Sequence, residues 1–414
     1  MLRQSAILPH AQTFIAAIFL LTILLLAMAS PALAQAEDVQ VTDTSVDYTF
    51  GEKITFHARI KSAIPIHNVV ILFGGEEDTY TESGQASISP DGLVTYDYDL
   101  GSHPIRTFSR VDYRFRVSLQ GNGVFTSPFY HFYYEDNRFD WQTLDERPFR
   151  VHWYEGDISK AQSVLDVARS GLQRVQQLLS VPSPSSQIEI YIYASSKDMQ
   201  ETLESSSQDW VAGHADPNLG VMVVALPSSP EGRLLMEQRI PHELMHIMLY
   251  QMVGPAYINL PTWFNEGLAS AAELYPNPDY QILLNNAHEK GNLLSIASLC
   301  NAFPRDASSA LLAYSQSASF VRYLYHTYGK SGLNDMVTTY ANGLDCERGA
   351  VSSTGKTLEQ LERQWRQDVF AENASMTGLN NLFPWLVISL AILLGPLGLI
   401  FFKLRREPAS QPVP

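Results

Sequence analysis

The sequence predicts a multidomain chain: an N-terminal all-β sandwich, an α+β domain after it, and a C-terminal transmembrane helix. Three observations point to this. From about residue 38 to 135, apolar and polar residues alternate with period two; after the stretch "EDNRFDWQTLDERPF" the period lengthens to that of helices; and residues 382–402 run for 21 residues without a charge. A chain of 414 residues exceeds one ordinary core, which agrees with two folded units.

The first segment reads as a signal peptide over residues 1–34. Arg3 precedes the apolar run "FIAAIFLLTILLLAM", and Ala32 and Ala34 sit at the small-residue spacing of a cleavage site. An uncleaved signal anchor is the alternative. The β unit then covers 37–137. In "ITFHARI" the side chains of Ile54, Phe56, Ala58 and Ile60 share one face, and in "VDYRFRVSL" those of Val111, Tyr113, Phe115, Val117 and Leu119 do so. "NVVILFGG", "LVTYDYDL" and "SPFYHFYY" add strands between turn residues, so the unit resembles immunoglobulin or fibronectin type III sandwiches. Its histidines, His57, His67, His103 and His131, are scattered and read as structural or surface residues.

Residues 138–148 read as a connector, and 149–372 as the second domain. "DISKAQSVLDVARSGLQRVQQLLS" opens on Asp157 as a helix N-cap and carries Val164, Val167, Leu172, Val175, Leu178 and Leu179 at helical spacing. "QIEIYIYAS" and "LGVMVVALP" read as strands, and most of the remainder to Phe370 as helix. The run "LFPWLVISLAILLGPLGLIFF" (382–402) is long enough to span a bilayer, with a buried core helix as the alternative. Lys403, Arg405 and Arg406 would keep the tail, 403–414, on the cytoplasmic side, leaving the two domains outside the cytoplasm. Outside the cytoplasm, Cys300 and Cys346 can pair as a disulfide; two buried thiols are the alternative. The net charge of −15 with no basic run excludes a nucleic-acid partner.

The chemistry concentrates in "RIPHELMHIML". On a helix His242 and His246 lie on one face four residues apart and present two imidazoles to one ion, while Glu243 is rotated off that line, placed to take a proton from water. Pro241 should kink this helix or mark its first turn. Nineteen residues after His246, "LPTWFNEGLASAAELYPNP" reads as a second helix from about Thr262 to before Pro276, carrying Glu266 among apolar neighbours. A carboxylate there needs a partner or a metal, and two imidazoles plus one carboxylate complete the three-ligand set of a catalytic zinc site.

"PHELMH" followed at this spacing by "WFNEGLAS" resembles the gluzincin metallopeptidases, the peptidase MA-like relatives of thermolysin and aminopeptidase N, over about 150 to 370. The resemblance implies Zn2+ held by His242, His246 and Glu266, with Glu243 as general base, and a peptide or protein substrate. It also implies a transition-state tyrosine in "AYSQSASFVRYLYHTYG": Tyr314, with Tyr323, Tyr325 and Tyr328 as neighbours that are packed helix residues otherwise. Glu273, seven residues past Glu266, could accept the spare N–H of a ligand histidine or could be a surface residue, and Asn265 could support the ligands. "GHADPNLGVMVVALP" stands where gluzincins pair an edge strand with substrate, though a core strand reads equally well; His214 belongs to the rim. "GVMVVA" lacks the glutamate that captures a free amino terminus in aminopeptidase N relatives, which favours an endopeptidase. The expectation is therefore a membrane-anchored extracytoplasmic zinc peptidase. Its rivals are an inert cell-surface binding protein with a peptidase-like domain and a zinc hydrolase of non-peptide substrates.

Overall fold

The computed structural model describes residues 39–75, 81–203, 213–229, 231–370 and 382–390. Two compact units divide between Phe139 and Asp140. The first contains, among the described residues, eight strands: β1 (Val39–Thr49), β2 (Lys53–Ser62), β3 (Ile66–Gly75), β4 (Glu82–Ile88), β5 (Leu93–Asp99), β6 (Ser109–Leu119), β7 (Val124–Thr126) and β8 (Tyr130–Tyr134). They run β1-β2-β5-β4-β3-β6-β7, with β8 continuing along β6. Strand β4 pairs with β3 through residues 82–86 and with β5 through 87–88, so one strand passes between two layers. The result is a sandwich bent towards a half-barrel.

Alternation decides which residues fill it. All four inward residues expected on β2 and all five expected on β6 are buried. Phe56 meets Phe73 of β3 at 5.0 Å and Tyr113 of β6 at 5.2 Å between ring centroids, so the aromatic layer is shared across the sandwich.

The second unit is built on a five-stranded sheet ordered β12-β13-β11-β10-β9: β9 (Gln142–Glu146), β10 (Phe149–Trp153), β11 (Ile188–Tyr193), β12 (Gly213–Asp216) and β13 (Val221–Ala225). The three central strands are parallel and both edges antiparallel. Strand β9 lies within the stretch that reads as a connector. The sheet is accordingly a mixed α/β sheet, because helix α1 (Ile158–Leu178) makes a parallel crossover from β10 to β11. Asp157 caps α1, its carboxylate accepting the Ser159 N–H at 2.9 Å, and Val164, Val167, Val175 and Leu178 are buried. Helix α2 (Ser196–Thr202) lies between β11 and β12, and a helical half follows β13: α3 (Gly232–Val253), α4 (Thr262–Ala272), α5 (Asp279–Glu289), α6 (Ala307–Ala341), α7 (Cys346–Thr354) and α8 (Leu358–Phe370). α6 is broken at Gly329, whose φ of 67° leaves the helical region. Cys300 and Cys346 are joined as a disulfide.

The expected transmembrane helix requires correction. Among the described residues no helix is long and apolar enough to cross a membrane. In the run at 382–402, helix is described over residues 382–390 only. Nine residues rise about 13 Å, where a bilayer core takes roughly 20 residues. Residues 391–402, the tail after them and the expected signal peptide at 1–34 lie outside the described residues. Hydropathy counts apolar residues without asking whether they form one continuous helix.

Candidate metal centre

Helix α3 carries His242, Glu243 and His246, all seated by an apolar flank in which Leu244, Met245, Ile247, Met248 and Leu249 are fully buried. Pro241 neither starts this helix nor ends it: α3 continues on both sides. Gly171 of α1 makes room for its ring, since a Cβ on Gly171 would lie 3.1 Å from Pro241 Cβ and Cγ.

Helix α4 supplies Glu266. Its position is fixed by an unusually close helix contact: a Cβ on the next residue, Gly267, would lie 2.6 Å from the Ser317 carbonyl oxygen of α6 and 2.7 Å from Val321 Cγ2. Trp263 packs on Phe320 beside this point at 5.0 Å. The start of α4 is tied down as well, with the Thr262 N–H donating to the Cys300 carbonyl at 2.8 Å and Trp263 Nε1 approaching Cys346 Sγ at 3.2 Å.

Together α3 and α4 bring the three expected ligands to one point. His242 Nε2 lies 3.4 Å and His246 Nε2 3.7 Å from Glu266 Oε2. All three ligand atoms fall within 4.8 Å of one another. Tetrahedral ligands about 2.0–2.1 Å from an ion sit about 3.3 Å apart, close to the two distances measured to Glu266, so this donor set suits a metal such as zinc.

The far nitrogens of both rings are engaged, which leaves Nε2 of each ring as the atom facing Glu266. His242 Nδ1 faces Glu273 Oε1 at 3.4 Å. His246 Nδ1 lies 3.1 Å from Asn265 Oδ1 and 3.0 Å from the Tyr257 hydroxyl, which itself accepts from Asn265 Nδ2 at 2.7 Å. Asn265 and Glu273 are thus both in the places weighed for them. Glu273 gets there differently, because α4 ends at Ala272 and Glu273 is the extended residue that follows. Tyr257 was missed. It lies in a 3-10 turn (Gly254–Asn259) between the two motifs, and no spacing rule distinguishes it from a core tyrosine.

Glu243 lies against edge strand β12, close enough to the ligands for its charge to be coupled to His242 and Glu266. The Ala215 N–H donates to its carboxylate, and a Cβ on Gly213 would lie 2.6 Å from Glu243 Oε1. Burial, opposed by the nearby His242 charge, raises its pKa to about 7. Burial works against a charged His242, yet hydrogen bonds to Glu266 and Glu273 outweigh it and hold that ring well above its ordinary pKa. Burial moves His246 downward. For Glu266, burial is outweighed by His246 and His242, and its carboxyl stays below the usual range.

Tyr314, in the first turns of α6, has its ring centroid 6.2 Å from that of His242 and stands edge-on to Phe303 at 4.9 Å. Burial pushes its hydroxyl pKa up, keeping the phenol protonated. Its rivals bond elsewhere: Tyr323 to Gln364 and Tyr325 to the Gln177 carbonyl. The Tyr328 hydroxyl is buried without a hydrogen bond. His214, on β12, is exposed and close enough for its charge to act on His246 and Glu266.

Residues 167–371 match the family model of the Peptidase MA superfamily. This stretch of the second unit is matched as a Peptidase MA domain. This suggests a metal-dependent peptidase acting on peptide or protein substrates, and the three converging ligands could hold its metal. No curated protein matches the chain. Among solved structures, Legionella pneumophila aminopeptidase A in complex with aspartic acid is similar at 12% identity and a TM-score of 0.33, covering 79% of this chain and 49% of that one. A family 56 carbohydrate-binding module that binds β-1,3-glucan is similar at 10% identity and a TM-score of 0.17, covering 22% of this chain and 98% of that one. At these scores neither likeness bears on what the Peptidase MA domain or the β unit does.

Proposed function

We propose that the protein is an extracytoplasmic zinc metallopeptidase that cleaves within peptide chains. The observation that supports this best is the convergence of His242 Nε2, His246 Nε2 and Glu266 Oε2, with the buried Glu243 carboxylate alongside on the same helix. When bound at these three residues, zinc supplies a Lewis acid that acidifies water and polarises a carbonyl.

The remaining steps belong to the chain. Glu243, raised to about 7, accepts a proton from the attacking water near neutral pH and returns it to the departing amine. Tyr314 donates its phenolic hydrogen to the oxygen on which negative charge collects. Edge strand β12 offers main-chain groups to an extended substrate beside Glu243. Internal cleavage is favoured because Val221–Ala225 carries no carboxylate to capture a free amino terminus. The Cys300–Cys346 disulfide supports an oxidising compartment.

The test is to purify the full chain, measure its bound metal, and incubate it and Glu243→Gln with a mixed peptide library. Zinc in both proteins, with cleavage at internal bonds by the first alone, is expected. Equal cleavage by the two, or a wild-type protein without affinity for zinc, would refute the proposal.

A further inference from the structure

In an uninterrupted helix the carbonyl of Glu237 would accept from the backbone N–H of residue 241. That residue is proline, which has no N–H. The Glu237 carbonyl is taken up from outside the helix instead: the Leu274 N–H donates to it at 2.9 Å and the Tyr275 N–H at 3.4 Å. These are the two amides that follow Glu273. The contact therefore joins the chain neighbours of a functional pair, since Pro241 precedes His242 and Leu274 follows Glu273, and His242 Nδ1 and Glu273 Oε1 face each other at 3.4 Å.

We infer that Pro241 is a positioning residue: by withholding one N–H from α3 it frees a carbonyl that docks the chain leaving α4, and so sets the Glu273 carboxylate against His242. The surroundings are built for that role. Residues Ser270 to Glu273 are buried, so the last carbonyls of α4, which lack helical donors, need partners. Two arginines from distant helices supply them, with Arg174 donating to the Ala271 carbonyl at 3.1 Å and Arg322 to that of Ser270 at 3.4 Å. Those bonds hold the helix end. The Glu237 carbonyl holds the residues immediately after Glu273, which fixes the direction in which its side chain leaves. A proline inside a helix is costly relative to alanine. Its ring here fills the space left by Gly171, and the carbonyl it frees is not wasted.

The inference uses zinc binding as one readout and to that extent rests on the proposed function. Its other readout needs no metal. In the full chain, hydrogen exchange should show the Leu274 amide protected in the wild type and faster in Pro241→Ala, where the restored N–H competes for the Glu237 carbonyl. Zinc affinity should fall about tenfold in Pro241→Ala, as expected when the outer partner of a ligand histidine is disturbed. Glu273→Gln should weaken zinc by at least as much, and the double variant should bind no worse than Glu273→Gln alone, because both changes act through one contact. The inference is overturned if Leu274 exchanges freely in the wild type, if Pro241→Ala binds zinc as the wild type does, or if the two losses multiply. Should the wild type bind no zinc, the proposed function fails, while the Leu274 exchange rates still decide whether the latch exists.

Discussion

Gly213→Ala tests the placement of Glu243 without touching a ligand. The substitution adds one methyl group to edge strand β12, at a position where it would lie 2.6 Å from Glu243 Oε1, 3.2 Å from Cδ and 3.3 Å from Cγ. Ordinary contact begins near 3.4 Å, so the carboxylate must withdraw by about 0.8 Å. It has little room to do so: Glu243 is buried and held by the Ala215 N–H. Displacements of about 1 Å in a reacting group cost on the order of 10²-fold in rate. Overpacking of this size destabilises by about 1–3 kcal/mol. The expected result is a kcat about 10²-fold lower on a peptide identified from the library, with stoichiometric zinc and a modest fall in Tm. Wild-type kcat would show that Glu243 does not act from this position. Zinc lost in proportion to activity would show that Gly213 supports the ligands instead.

Tyr314→Phe removes the hydroxyl from a ring whose centroid lies 6.2 Å from that of His242, and should lower kcat by roughly 10²–10³ with KM and zinc content nearly unchanged; a full kcat would remove Tyr314 from the mechanism. Zinc uptake should release protons at neutral pH. His242 is held well above its ordinary pKa by Glu266 and Glu273 and must lose its proton to ligate, so affinity falls as pH falls; calorimetric heats independent of buffer ionisation at pH 7 would contradict this. Replacing Cys300 and Cys346 by serine opens a loop with a sequence separation of 46, worth about 4 kcal/mol in the chain-entropy model, and should lower Tm; an unchanged melt would show that the disulfide does little for stability.

What could be read from the sequence was what depends on local spacing. The i, i+4 relation of His242 and His246, the N-cap at Asp157 and the alternation on β2 and β6 are each fixed by a few neighbouring residues, and each appears where it was expected. Tyr257 was beyond reach because its importance comes from a turn that folds back on His246 and Asn265, a relation no periodicity encodes. Strand β9 was hidden for the same reason. Its residues pair only with β10 and lack a buried face, four of the five being exposed, so nothing in their composition separates them from a linker. The apolar run near the C-terminus misled in the opposite sense: composition was clear, but composition does not establish one continuous helix.

The contact of Gly267 with Ser317 has a thermodynamic consequence. It sets the separation of α4 and α6 through main-chain atoms and one methyl group, with no long side chain between them whose rotamers could exchange. Glu266 therefore projects from a backbone that is already in place before an ion arrives. Little conformational freedom remains to be lost there on binding, and the entropy of metal uptake should be governed by water and protons released rather than by ordering of the protein.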